Sequence, residues 1–206
     1  NEELSSKNFT IYRTHHDPIT HKENEKWIAT ALMWNPIKAL EQSFTRTKKS
    51  TYDEFHKMMD IKTNSSNNTV YADADGTIAY YHGNFIPKRN IRFDYSKPVD
   101  GSNPQTDWQG LHKLEDHITL KNPPNGWIQN CNSTPFTSAG EYSPKKENYP
   151  YYMATFPENF RGIHAISLLK NAGLKLIYVG VESKHPDVLK DIKRQTISED
   201  DQYKII

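Results

Sequence analysis

Apolar positions along this chain recur with two periods. From Phe9 to Thr14, Phe9, Ile11 and Arg13 alternate with Thr10, Tyr12 and Thr14 in a stretch rich in β-formers, which predicts a strand. A second strand is expected over Lys26 to Leu32, with a turn-rich connection through Asp17-Pro18 between the two. Asn35-Pro36 then offers an N-cap followed by proline at the first helical position. Ile37, Leu40 and Phe44 follow at helical spacing on one face. Thr51 and Glu54 match a capping box, and Phe55, Met58 and Met59 supply the buried face of the helix it opens. The Asn/Ser cluster Asn64 to Asn68 ends that helix.

Thr69 to Ala72 and Thr77 to Tyr81 read as two strands joined by Asp73-Ala74-Asp75-Gly76, a hairpin with glycine available for positive φ. Prolines and short polar turns dominate from Ile86 to Pro124, with Trp108 and Leu111 as expected anchors. Gly126 to Asn130 reads as a short strand, and Pro144 to Pro157 as a loop. A helix is expected to begin at Pro157, with Phe160, Ile163, Ile166 and Leu169 stepping by three and Gly173 just past its end. Leu174 to Val181 fits strand or helix, and Pro186 to Lys193 fits a helix. The fold class is therefore α+β, with much irregular chain.

Composition sharpens this picture. The apolar set is 35%, below the usual ~45–50% even after nine glycines are added. Mean hydropathy is −0.86. Yet 12 Tyr, 8 Phe and 4 Trp exclude the aromatic-poor profile of a disordered chain. The balance predicts an ordered, loop-rich chain that completes its core against another polypeptide segment. A polar but self-sufficient α+β domain fits the composition equally well. Net charge is +1 with both signs mixed along the sequence, so no basic stripe is present for a phosphate backbone and nucleic acid is not an expected partner. No apolar run approaches the ~20 residues needed to cross a bilayer, so no membrane partner is expected either. With Cys131 as the single cysteine, no intrachain disulfide forms.

Several short patterns carry candidate chemistry. Asp73-Ala74-Asp75-Gly76 looks like the start of a calcium loop, but its glycine falls at position four and Asn84 at position twelve, so a plain hairpin turn is expected. His15, His16 and His21 suggest metal. On a strand, however, adjacent residues point to opposite faces, and no metal is expected in this chain. Cys131 has no family-specific cysteine-protease signature around it and reads as a small packing residue. Four Asn-x-Ser/Thr matches, at Asn8, Asn64, Asn67 and Asn132, carry little weight in a chain so rich in these residues. In Asn122 to Phe136, two prolines, a glycine, a short extended run and Asn130 and Asn132 before Pro135 could hold an amide side chain firmly. Taken alone, the simpler reading is a strand and a proline turn whose asparagines bond local backbone.

Taken in order, six segments resemble the β-chain of the penicillin acylase and N-acyl homoserine lactone acylase family. Thr14-His15-His16-Asp17-Pro18-Ile19 is similar to the family's Thr-His-His-Gly-Pro segment. Tyr71-Ala72-Asp73-Ala74-Asp75-Gly76-Thr77-Ile78-Ala79-Tyr80 is similar to its Tyr-Ala-Asp-x-x-Gly-Asn-Ile-x-Tyr hairpin. Phe85-Ile86-Pro87-Lys88-Arg89, Pro98-Val99-Asp100-Gly101, Trp108-Gln109-Gly110-Leu111 and the asparagine-proline segment follow in the family's order. The likeness covers roughly residues 9–170; residues 1–170 are expected to form a partial β-chain segment and residues 171–206 a divergent C-terminal tail.

The resemblance implies a fragment of the four-layer αββα sandwich of N-terminal-nucleophile hydrolases. In that family the precursor cleaves itself, and the new chain begins with a serine. Its hydroxyl attacks an amide carbonyl while its own α-amine, with a pKa near ~8, serves as base. Asn132 falls on the family's oxyanion asparagine, and Arg161 on an arginine near that site, expected to orient the asparagine or the nucleophile region. The alternative for Arg161, a surface residue in the first helical turn, stays open. Asn130 is expected to shape the loop.

Two departures stand out: residue 1 is Asn, not a nucleophile, and Asp17 replaces the family's glycine. The nucleophile is expected upstream of this chain, which would be inactive alone. Its implied partners are the remaining α- and β-chain segments and a small-molecule N-acyl substrate, of β-lactam or acyl homoserine lactone type. No cofactor is implied for this chain, a structural calcium belongs to the full-length family members, and residence is implied to be periplasmic or secreted. A non-catalytic binding or structural domain derived from the same fold is the competing reading.

Overall fold

A computed structural model of the chain describes residues 6–64 and 67–171. Two three-stranded antiparallel sheets and three helices make up its regular part. The first sheet orders β1 (Arg13–Thr14), β2 (Asp17–Glu23) and β3 (Lys26–Ala29) as β1-β2-β3. The strand expected from Phe9 shrinks to two residues, and the expected connection through Asp17-Pro18 becomes the central strand. Backbone geometry explains the difference. Asn24 and Glu25 take φ of 46° and 61°, the double left-handed turn whose twist matches a tight hairpin. Asp17 takes φ of 74°, so the chain reverses immediately after His15-His16. Pro18 stands near the strand's start, where its carbonyl still accepts from the Thr30 N–H at 3.0 Å.

Helix α1 (Pro36–Thr45) begins as expected, with the Asn35 side chain accepting from the Lys38 N–H at 3.3 Å. Its burial does not follow that apolar face. Ile37, Leu40 and Phe44 are 74%, 68% and 67% exposed, whereas Gln42 is 4% exposed. Its apolar stripe has no cover among the described residues. Helix α2 (Tyr52–Met59) follows its sequence signals more closely. Thr51 Oγ1 accepts from the Glu54 N–H at 3.3 Å, while Glu54 Oε2 accepts from the N–H of Ser50, one residue earlier than a capping box requires. Phe55, Met58 and Met59 are buried and pack with Tyr71, Ala79, Tyr81 and Leu114.

The second sheet orders β4 (Thr69–Ala72), β5 (Ile78–Tyr81) and β6 (Thr119–Lys121) as β4-β5-β6. The β4–β5 hairpin lies where the sequence places it. Asp73 organises its turn: Oδ1 accepts from the N–H groups of Asp75 and Thr77, and Oδ2 from the Tyr71 hydroxyl. Central β5 is buried at every residue. Strand β6 emerges from within the stretch read as irregular, where three residues are too few for a periodic signal. Half-buried Trp108 meets Phe85 edge-on, and half-buried Leu111 bridges to Pro87, but the deeper positions of this stretch are Ile86, Leu114 and Ile118.

The strand expected over Gly126 to Asn130 does not form. Asn122, at φ of 45°, turns the chain out of the sheet, and its Oδ1 takes the Ile78 N–H at 2.8 Å. No strand partner then remains beside the following residues, and the Gln129 N–H goes to the Ser138 carbonyl. Helix α3 runs Phe160–Asn171 and starts three residues after the expected Pro157, whose carbonyl is tied to the Thr134 N–H at 3.2 Å. Phe160 is 91% exposed, Ile163 is exposed too, and Gly162 is the helix's single buried residue. Gly173, the two segments beyond it and nearly all of the expected 171–206 tail lie outside the described residues.

A buried amide pair joins these parts. Asn84 is fully buried; its Oδ1 accepts from Gln42 Nε2 and from the Asn64 N–H, both at 3.0 Å, and its Nδ2 donates to the Met59 carbonyl. Gln42 Oε1 accepts from the Thr63 N–H at 2.8 Å. An Asn84→Ala change strands several buried polar groups at once, so stability should fall by about 3 kcal/mol or more, read as a lower urea midpoint.

Acid should act through two buried imidazoles. Burial pushes His82 and His117 down from 6.5 to about 4, and among the described residues neither nitrogen of His117 has a hydrogen-bond partner. Both are neutral when folded and protonate more readily when unfolded. Their contribution is complete above pH 6.5 and is lost as pH falls toward 4. The urea midpoint should be flat from pH 8 to 7 and decline below about 6.5, and His117→Phe should remove part of that decline.

Candidate functional site around Asn132

The loop after Gln129 is built from asparagines. Asn130 Oδ1 accepts from Asn68 Nδ2 at 3.0 Å and from the Asn132 N–H at 3.4 Å, so Asn130 shapes the loop. Asn132 itself takes φ of 55°, a region that asparagine tolerates better than most side chains. Its side chain is exposed, and Arg161 Nη2 donates to its Oδ1 at 3.1 Å. The two residues singled out from the sequence, 29 positions apart, are therefore brought together. Because a guanidinium only donates, the amide oxygen must face Arg161, and the Asn132 NH2 is directed away from it. That NH2 donates to no acceptor among the described residues.

The start of α3 holds this pair. Asn159 Oδ1 caps the helix by accepting from the Gly162 N–H at 2.9 Å, while Asn159 Nδ2 donates to the Cys131 carbonyl at 3.0 Å. One side chain thus ties helix start to loop. Arg161 adds a full positive charge where the helix dipole already contributes a partial one. Cys131 is half-buried, and its backbone carbonyl serves in this clamp. Asn159 and Gly162 were not singled out from the sequence. The usable signal was an N-cap asparagine just before the apolar steps begin.

The histidines are arranged otherwise than strand geometry predicts. His15 and His16 occupy the turn between β1 and β2, with ring centroids 3.8 Å apart. His16 Nε2 bonds the Gly101 carbonyl at 2.8 Å and lies 3.7 Å from Asp107 Oδ1. His21 is elsewhere, on β2 beside Glu23. Asp73 serves the hairpin turn, its Oδ1 accepting from the Asp75 and Thr77 N–H groups and its Oδ2 from the Tyr71 hydroxyl.

Comparison with known proteins agrees with this architecture. Residues 2–197 match the penicillin amidase family. Penicillin G acylase of Escherichia coli is 29% identical over 134 residues, covering 63% of this chain and 16% of that protein. The solved structure of a thermostable penicillin G acylase from Alcaligenes faecalis superposes with a TM-score of 0.66 at 22% identity, covering 83% of this chain and 30% of that one. An α+β chain with this order of elements, matched over nearly its whole length, belongs to the penicillin amidase family, a family of amide hydrolases. It spans about a sixth of the curated relative's length.

Gly162 sets the approach of α3 to the loop. A Cβ there would lie 2.6 Å from Glu158 Oε1, which can swing away, but also 2.8 Å from Oγ of the buried Ser133. Gly162→Ala should therefore push the helix off the loop, costing about 1–3 kcal/mol. Equilibrium unfolding of the variant measures the cost, which a Glu158→Ala background should relieve only in part.

Proposed function

We propose that this chain is part of an amide hydrolase that removes acyl groups from N-acyl compounds of the β-lactam or acyl homoserine lactone type. In this reading Asn132 donates its NH2 to the oxyanion of the tetrahedral intermediate, and Arg161 holds the amide in the donating orientation. The bond from Arg161 Nη2 to Asn132 Oδ1 carries the proposal, because it commits the oxygen and frees the donor end. The attacking serine, with its own α-amine as base, comes from another stretch of the protein. The described residues then form part of a four-layer αββα sandwich, completed by the remaining α- and β-chain segments. Exposed Ile37, Leu40 and Phe44 on α1, with Trp27, Leu32 and Trp34 nearby in sequence, support this reading, since so much apolar surface asks for cover. Residence in the periplasm or outside the cell belongs to the same proposal.

The competing reading is a non-catalytic binding or structural domain of the same fold, and the exposure of Asn132 favours it. Kinetics on the full-length protein separate the two. Asn132→Ala should lower kcat by about 10²–10³ with little change in KM, the usual cost of one oxyanion donor. Arg161→Met should lower kcat less, through the orientation of Asn132. The 206-residue chain alone should not hydrolyse phenylacetyl or fatty-acyl amides. Full activity in the Asn132→Ala protein would remove the proposed role.

A further inference from the structure

We propose that His15, His16 and Asp107 form a binding site for a divalent transition metal of the zinc type. The three side chains offer ligand atoms that all lie within 4.8 Å of one another. A tetrahedral zinc site, with bonds of about 2.0–2.2 Å, places its ligands roughly 3.3–3.5 Å apart. His16 Nε2 and Asp107 Oδ1, at 3.7 Å, already stand near that spacing. Small side-chain rotations bring in the exposed His15.

Three observations beyond proximity support the site. The turn between β1 and β2, reversed by Asp17 at φ of 74°, puts two consecutive imidazoles together, which a continuous strand would not do. Asp107 Oδ1 is shielded from solvent and accepts no hydrogen bond among the described residues. A shielded carboxylate oxygen with an imidazole nitrogen 3.7 Å away suits a cation shared between them. Gly101 leaves room for the His16 ring, since a Cβ there would lie 3.1 Å from Cδ2 and Nε2. Two imidazoles and one carboxylate favour zinc, cobalt or nickel over calcium or magnesium. On loading, the metal takes the place of the proton that His16 Nε2 donates to the Gly101 carbonyl, and the ring stays neutral by carrying its proton on Nδ1 instead. A water fills the fourth coordination position.

Such an ion would staple the β1–β2 turn to the segment from Gly101 to Asp107, whatever reaction the whole protein performs. Zn2+ titration of the 206-residue chain by calorimetry, with Co2+ absorption as a second probe, tests the site. One equivalent should bind, with a tetrahedral Co2+ spectrum and a raised Tm. His15→Ala and Asp107→Asn should each weaken binding at least tenfold, and His21→Asn should leave it unchanged. His15 is exposed, so its variant tests the site even if His16 variants fail to fold. Absence of saturable binding, or binding indifferent to His15→Ala and Asp107→Asn, would overturn the proposal.

Discussion

Helix α1, the end of α2 and the segment leaving β5 meet at the two amides of Gln42 and Asn84. Both side chains are buried, so nearly every hydrogen bond they make must be found inside the protein. Asn84 uses both ends: its oxygen collects Gln42 and the Asn64 N–H, and its nitrogen reaches the Met59 carbonyl at the last turn of α2. Gln42 closes the circuit on Thr63. A hydrophobic contact tolerates sliding, but such a network has one arrangement that leaves nothing unpaired. It therefore fixes how α1 lies against the end of α2 and the segment leaving β5, and its demand explains why a glutamine occupies the buried face of α1.

That inversion also marks the limit of reading this fold from periodicity. The capping residues of α1 and α2 and the β4–β5 hairpin were legible because each rests on local chemistry: a side chain bonding a nearby N–H, or a glycine at positive φ. The buried side of α1 was not, because Ile37, Leu40 and Phe44 make a better apolar stripe than the face used. Strand β2 was hidden by Pro18 and by polar residues on a sheet with little cover, where alternation has nothing to report. Strand β6 was hidden by its length. At the candidate site, Asn132 and Arg161 were singled out through family resemblance, since no local pattern relates residues 29 positions apart. His15 and His16 were set aside on strand geometry, and the turn they occupy removes that reason.

The exposed apolar surface belongs to the same account. Two clusters, around Phe55 and around Ile118, bury their side chains well, while the apolar stripe of α1 and the N-terminal aromatics do not. A sequence with 35% apolar residues can scarcely leave large side chains in water without a compensating gain. Family membership, with a match that reaches only 16% of the E. coli relative, supplies a physical sense for the pattern. Under the proposed reading these faces are contacts whose other halves lie in the remaining segments.

The chemistry proposed at Asn132 depends on orientation as much as on position. A free asparagine presents its oxygen and its NH2 to a cleft with equal ease, and the wrong end would repel a developing oxyanion. Arg161 breaks that symmetry, because a guanidinium accepts from nothing and can bind only the oxygen. Asn159, clamping the loop to the helix that carries Arg161, keeps the two within reach, and Gly162 lets the helix come close enough. A donor set before reaction begins avoids the reorganisation that water would need to stabilise the same charge. On this argument the arginine acts through the asparagine, and its charge reaches the oxyanion as a secondary benefit.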